Sequence, residues 1–114
     1  MIKGIGCDIL SINRIKNIID SFPSFIKHTF SEEELKEYTN RNNDIYYLAS
    51  RFAAKEAVVK SLKEYNKELN TIEILNDSNG VPFVRVSNMK NYNFMISLSY
   101  ETEYVIAYVV LLSI

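Results

Sequence analysis

In the first half of the chain, apolar residues recur three or four apart, the spacing of one helix face; in the second half they alternate or run together over strand lengths. Met1 to Cys7 reads as a short strand. Ser11 then stands where it would cap a helix carrying Ile12, Ile15, Ile18, Ile19 and Phe22 on one side, and Pro23 breaks that pattern. Ser31 and Glu34 form an S-x-x-E capping box, with Phe30 and Leu35 as the flanking hydrophobic staple of a second, short helix. After the polar connection Arg41-Asn42-Asn43-Asp44, a third helix is predicted from Ile45 to Lys63.

The third helix departs from simple amphipathicity. Leu48, Phe52, Val59 and Leu62 make one apolar stripe, but Lys55 projects near its centre and Glu56 lies at its edge. A lysine in mid-stripe must snorkel or be paired, and the reading here is an internal carboxylate partner. Ala49, Ala53, Ala54 and Ala57 occupy the other sides, so neighbouring backbone can approach closely and the helix is expected to be buried on more than one side.

Thr71 to Leu75 and Pro82 to Val86 read as strands flanking Asp77-Ser78-Asn79-Gly80, where Asn-Gly favours a tight hairpin with positive φ angles. Phe94 to Tyr100 and Tyr104 to Leu112 make a second pair around Glu101-Thr102-Glu103. Both faces of the last strand are apolar: Val105, Ala107, Val109 and Leu111 on one, Tyr104, Ile106, Tyr108, Val110 and Leu112 on the other. Such a strand is covered on both sides. The chain's own helices supply one cover, and a neighbouring subunit is expected to supply the other.

Composition narrows the class. A chain of 114 residues with 47% hydrophobic content suits one domain over residues 1–114. Its net charge of −1 provides no global field toward nucleic acid or an anionic membrane. No apolar run approaches the length of a membrane span, and the N-terminus has no basic region followed by a long apolar stretch, so the expectation is a cytoplasmic protein. The lone Cys7 agrees with a reducing compartment and reads as a small buried residue. The single histidine, His28, sits near a helix end and excludes a multi-histidine metal site.

Candidate chemistry centres on Asp8 and Glu56. Two carboxylates from different elements suffice for a hard cation such as Mg²⁺, whose remaining ligands are water and phosphate oxygens. From the residues alone, Asp8 reads first as a strand-end cap on the following helix, and Glu56 as an i,i+4 partner of Lys60. Ser97 and Ser99 alternate with Ile96 and Leu98, so both hydroxyls face one side of a strand, either packing there or bonding a ligand.

Gly4-Ile5-Gly6-Cys7-Asp8 followed by Arg51-Phe52-Ala53-Ala54-Lys55-Glu56-Ala57-Val58-Val59-Lys60 resembles the 4'-phosphopantetheinyl transferases, in their short holo-acyl-carrier-protein synthase form. Phe30 to Leu35, Asn79-Gly80-Val81-Pro82 and Ile96 to Glu101 extend the resemblance over nearly the whole chain. It implies an α+β fold, with an N-terminal strand and helices packed on an antiparallel sheet, assembled as a homotrimer with active sites between subunits. The implied reaction moves 4'-phosphopantetheine from coenzyme A to a serine of apo-acyl carrier protein, leaving adenosine 3',5'-bisphosphate. By the same resemblance Asp8 and Glu56 hold Mg²⁺, and these two with Lys60 are the catalytic set. Lys60 contacts pyrophosphate, Arg51 reaches coenzyme A from an adjacent subunit, and Ser97 and Ser99 are candidate coenzyme contacts. The proton acceptor is Glu56 or a water held by the metal. Arg14 and Lys16 on the first helix are the expected docking surface for an acidic carrier protein.

Two departures stand out. Relatives usually follow the second motif with a glycine loop, whereas this chain has Ser61-Leu62-Lys63-Glu64-Tyr65-Asn66, and Tyr100 occupies a place where many carry histidine. A metal-dependent phosphodiesterase or nucleotide hydrolase, and a non-catalytic coenzyme A or carrier-binding module, are the competing readings.

Overall fold

In the computed structural model, which describes residues 1–114, β1 (Ile2–Ser11) runs into α1 (Ile12–Ser21). There follow α2 (Phe25–Thr29), α3 (Glu32–Asn40), α4 (Ile45–Leu62) and a 3-10 turn at Leu69–Thr71. The second half is β2 (Ile72–Asn76), β3 (Pro82–Val86), β4 (Tyr92–Tyr100) and β5 (Tyr104–Ser113). β1, β5 and β4 form one antiparallel sheet in that order, and β2 and β3 form a separate hairpin. The architecture is α+β, with helices packed on an antiparallel sheet.

α4 is the spine. It lies across the inner face of the larger sheet, where Val105, Ala107 and Val109 are buried against Ala53, Ala54, Ala57 and Val58. Glycine makes that approach possible on β1. A Cβ on Gly6 would lie 1.8 Å from the Ala57 carbonyl oxygen, and one on Gly4 2.1 Å from that of Ser61, so any side chain would separate the strand from the helix backbone. The contact is set by residues of period two on the strand, so Asp8, next on the Gly4–Gly6 face, is directed toward α4.

Capping follows the sequence reading. Ser11 accepts the Arg14 amide at 3.1 Å and starts α1, and Ser31 with Glu34 closes the capping box of α3. Since Ser11 caps α1, Asp8 does not; it sits within β1 opposite Ala107, and the strand continues past the predicted end at Cys7. α2 was not predicted. Pro23 does end the first helical pattern, but Phe25 and Phe30 then pack edge to face, 6.1 Å between ring centroids, and hold a short helix between them. Phe22, placed on the first helix's apolar side by sequence, caps α1 and is exposed.

The β2–β3 hairpin is looser than Asn-Gly suggests. Only Gly80 has a positive φ, at 80°, while the Asp77 carboxylate accepts the amides of Asn79 and Val81 at 2.8 and 3.0 Å and shapes a longer turn. Cys7 is a second correction. Odd positions of β1 face away from α4, so the thiol is exposed on the outer sheet face with Ile5 and Ile9. On that face Tyr104, Ile106 and Tyr108 of β5 are exposed too, uncovered by any element of the chain.

Candidate active site

Where β1 crosses α4, the two motifs meet. The Lys60 ammonium donates to Asp8 Oδ1 at 3.2 Å and to the Cys7 carbonyl at 2.9 Å. Lys60 therefore pairs with Asp8 across the strand–helix contact, and the i,i+4 pair with Glu56 is absent from the ion pairs. Glu56, one turn before Lys60, is half-buried. Burial first, and then the charge of Asp8, push its pKa up, partly offset by Lys60 and Arg14. The residue is thus held close enough to Asp8 for the two carboxylates to act on each other, with Lys60 and Arg14 as the nearby positive charges.

Two neighbouring carboxylates suit a cation. Asp8 and Glu56 offer hard oxygen donors from adjacent elements, the donor type Mg²⁺ takes. No third histidine, cysteine, aspartate or glutamate joins them, so water and substrate oxygens would have to complete a coordination shell.

Lys55 turns the other way and meets the carboxylate its position called for. It is 0% exposed, and its ammonium donates to Glu34 Oε1 at 2.7 Å, to the Leu69 carbonyl at 3.0 Å and to the Ile72 carbonyl. Glu34 in turn accepts the Ser31 amide and, through Oε2, the Ile74 amide, both at 3.0 Å. Its capping-box spacing is visible in sequence; its role as partner of Lys55 depends on α3 and β2 converging and has no local marker.

Arg51 occupies another environment. At 3.6 residues per turn, Arg51 and Lys60 leave opposite sides of α4. The Arg51 side chain is not a solvated helix charge: the residue is 5% exposed and its guanidinium lies 4.2 Å from the Tyr47 ring centroid. Burial lowers its pKa, while Tyr47 and Glu37 act to restore it. With Arg41, Asn76, Pro82 and Ser97 it lines a cleft of about 330 Å³. Arg41 was read only as part of a polar connection; it is the C-cap of α3, and its guanidinium also approaches the Tyr47 ring, at 5.4 Å.

Ser97 and Ser99 point from the outer sheet face, opposite the side on which α4 carries Glu56, so within one chain they do not join Asp8 and Lys60. Ser97 borders the Arg51 cleft instead. Tyr100 is 68% exposed beside Tyr46, with ring centroids 5.4 Å apart. Arg14 and Lys16 are exposed on α1. In the segment without glycine, Lys63 takes the left-handed conformation itself, φ 59°, and ends α4, while Tyr65 extends into solvent.

A family model for the 4'-phosphopantetheinyl transferase superfamily matches residues 4–109. The chain is 41% identical to a holo-[acyl-carrier-protein] synthase of Clostridium botulinum, strain Alaska E43, over 97% of this chain and 98% of that one. A crystal structure of a holo-(acyl-carrier-protein) synthase from Bacillus anthracis in complex with CoA (3',5'-ADP) superposes with a TM-score of 0.86 at 32% identity, covering 100% of this chain and 99% of the other. The holo-[acyl-carrier-protein] synthase of Neisseria meningitidis superposes with a TM-score of 0.89 at 31% identity, over 99% and 100% of the two chains.

Proposed function

The chain belongs to the 4'-phosphopantetheinyl transferase superfamily as an enzyme of the holo-[acyl-carrier-protein] synthase type, and from that premise we propose that it transfers 4'-phosphopantetheine from coenzyme A to a serine of apo-acyl carrier protein. The observation that carries this reading is the meeting of Asp8, Glu56 and Lys60 on one side of α4, held by the glycine contacts of β1.

In this reaction the serine oxygen attacks the phosphorus next to the pantetheine arm. The bond from that phosphorus to the bridging oxygen breaks, and adenosine 3',5'-bisphosphate leaves with the electron pair. Lys60 places positive charge beside Asp8, where a pyrophosphate oxygen can be held. Asp8 and Glu56 are the residues to hold Mg²⁺, which when bound supplies charge neutralisation for the leaving phosphate. The serine proton passes to Glu56 or to a water that the metal would hold. Arg14 lies near enough for its charge to act on Glu56, so an acidic carrier docked on Arg14 and Lys16 would present its serine beside the site.

Arg51 is assigned to the coenzyme, with Ser97 and Ser99 as subsidiary contacts. Because Arg51 and Lys60 face opposite sides of α4, the proposal requires that one coenzyme span two subunits, and a homotrimer with shared sites meets that requirement.

The test is to incubate the protein with coenzyme A, Mg²⁺ and an apo-acyl carrier protein and to read the carrier by intact mass. A gain of one phosphopantetheine, abolished by chelator and in Asp8→Ala or Glu56→Ala, supports the transferase and its metal site. Release of adenosine 3',5'-bisphosphate without modification of a competent carrier would replace it with a hydrolase.

A further inference from the structure

Arg51 is held by a closed ring of contacts rather than by a single partner. Its Nε donates to the Ile74 carbonyl at 3.3 Å, Nη1 to Ser50 Oγ at 3.3 Å and Nη2 to Asn76 Oδ1 at 2.7 Å. The Asn76 backbone N–H donates to Glu37 Oε2 at 3.0 Å, and the Tyr47 hydroxyl donates to Glu37 Oε1 at 2.6 Å. Tyr47 completes the ring by lying beneath the guanidinium it began from, and Glu37 stands 3.9 Å from Nη2.

We infer that Glu37 and Tyr47 are positioning residues for coenzyme binding, which fix the Arg51 guanidinium in one orientation at the edge of the cleft it lines. The inference rests on the assignment of Arg51 to the coenzyme. Three of the five guanidinium N–H groups are committed to protein acceptors, leaving one on each terminal nitrogen for a ligand. Arg41 and Arg51 both border the cleft, so an anion entering it meets two positive charges. Left alone, two guanidinium groups near one ring would repel. Glu37 sets one negative charge behind Arg51, and burial together with that carboxylate keeps the Tyr47 hydroxyl protonated as a donor. A guanidinium held this way loses less freedom when a phosphate binds, and preorganisation appears in affinity rather than in the chemical step.

The experiment is steady-state transfer with the full-length protein, Mg²⁺ and saturating apo-acyl carrier protein, varying coenzyme A, for wild type, Tyr47→Phe, Glu37→Gln, Arg51→Gln and Tyr47→Phe/Arg51→Gln. Tyr47→Phe removes one oxygen and keeps the ring, so it tests the inference even if Glu37→Gln does not fold; thermal midpoints are read in parallel. Tyr47→Phe is expected to raise KM for coenzyme A about fivefold, with a smaller change in kcat. In the Arg51→Gln background the same change should add nothing, because Tyr47 acts through Arg51. If Arg51→Gln raises KM while Tyr47→Phe does not, or if the two effects multiply, the positioning inference is overturned and the coenzyme assignment stands. If Arg51→Gln itself leaves KM unchanged, the assignment of Arg51 falls, and the inference with it.

Discussion

Lys55 and Glu34 show how one buried pair can determine the seat of a catalytic helix. The lysine's three protons have acceptors on α3, the 3-10 turn and β2, and the glutamate ties the α3 cap to β2, so the pair anchors α4 one residue before Glu56. Removing one member leaves the other's charge buried and unpaired. Lys55→Met is therefore expected to lower the unfolding free energy by about 3–5 kcal/mol. Lys55→Met/Glu34→Gln should lose less than the sum of the single changes, a coupling readable in urea titrations. Nearby, burial works to raise the pKa of Glu73, but hydrogen bonds from Ser31 and Arg85 and the charges of Arg85 and Lys55 outweigh it and lower the pKa from 4.5. A carboxylate with a depressed folded-state pKa stabilises the fold above its unfolded value and loses that contribution as pH falls through the depressed one. Glu73→Gln should accordingly be less stable than wild type at pH 7 and approach it in acid. A gap in urea midpoint that stays constant from pH 7 down to pH 3 would refute this.

At the scale of elements, the site is a by-product of how closely β1 lies on α4. Gly6→Ala would push a Cβ into the Ala57 carbonyl, backbone against backbone, and the expected cost is about 1–3 kcal/mol. The displaced strand carries Asp8 away from Lys60, so Mg²⁺-dependent activity should fall further than stability does; equal losses in the two would mean that the contact is only packing. Half of this contact was legible in the sequence, as alanines around a helix that permit close approach; that the approaching backbone is β1 at Gly4 and Gly6 emerges only in the fold. The Ser11 cap, the Ser31–Glu34 capping box and the α4 boundaries were legible because each is a local pattern. Glu34 as the partner of Lys55, and the Glu37–Tyr47–Arg51 ring, were not, since they join residues from α3, α4 and β2 that only the tertiary fold brings together. Cys7 was misplaced because strand periodicity gives two faces without saying which one the helix covers.

For the whole molecule, the outer sheet face and the division of the site point to one arrangement. Ile5, Ile9, Met95, Ile106 and Tyr108 leave a broad apolar surface exposed across all three strands. The residues assigned to one coenzyme leave α4 on opposite sides. In the trimer we propose, apolar burial and completion of the site are the same event, so Ile106→Glu on the central strand should give monomers by sedimentation velocity and abolish transfer together. Sharing of the site has a more direct test. Asp8→Ala and Arg51→Gln each damage a different half, and chains carrying one or the other are expected to be weakly active alone. When the two are co-produced in equal amounts, random assembly places an intact Asp8 half against an intact Arg51 half at about a quarter of the interfaces of a closed ring. Transfer activity should rise to about that fraction of wild type. Activity no greater than the mean of the two variants would show that each chain builds its site alone, and the opposed placement of Arg51 and Lys60 would then need two separate anion sites in place of one divided between subunits.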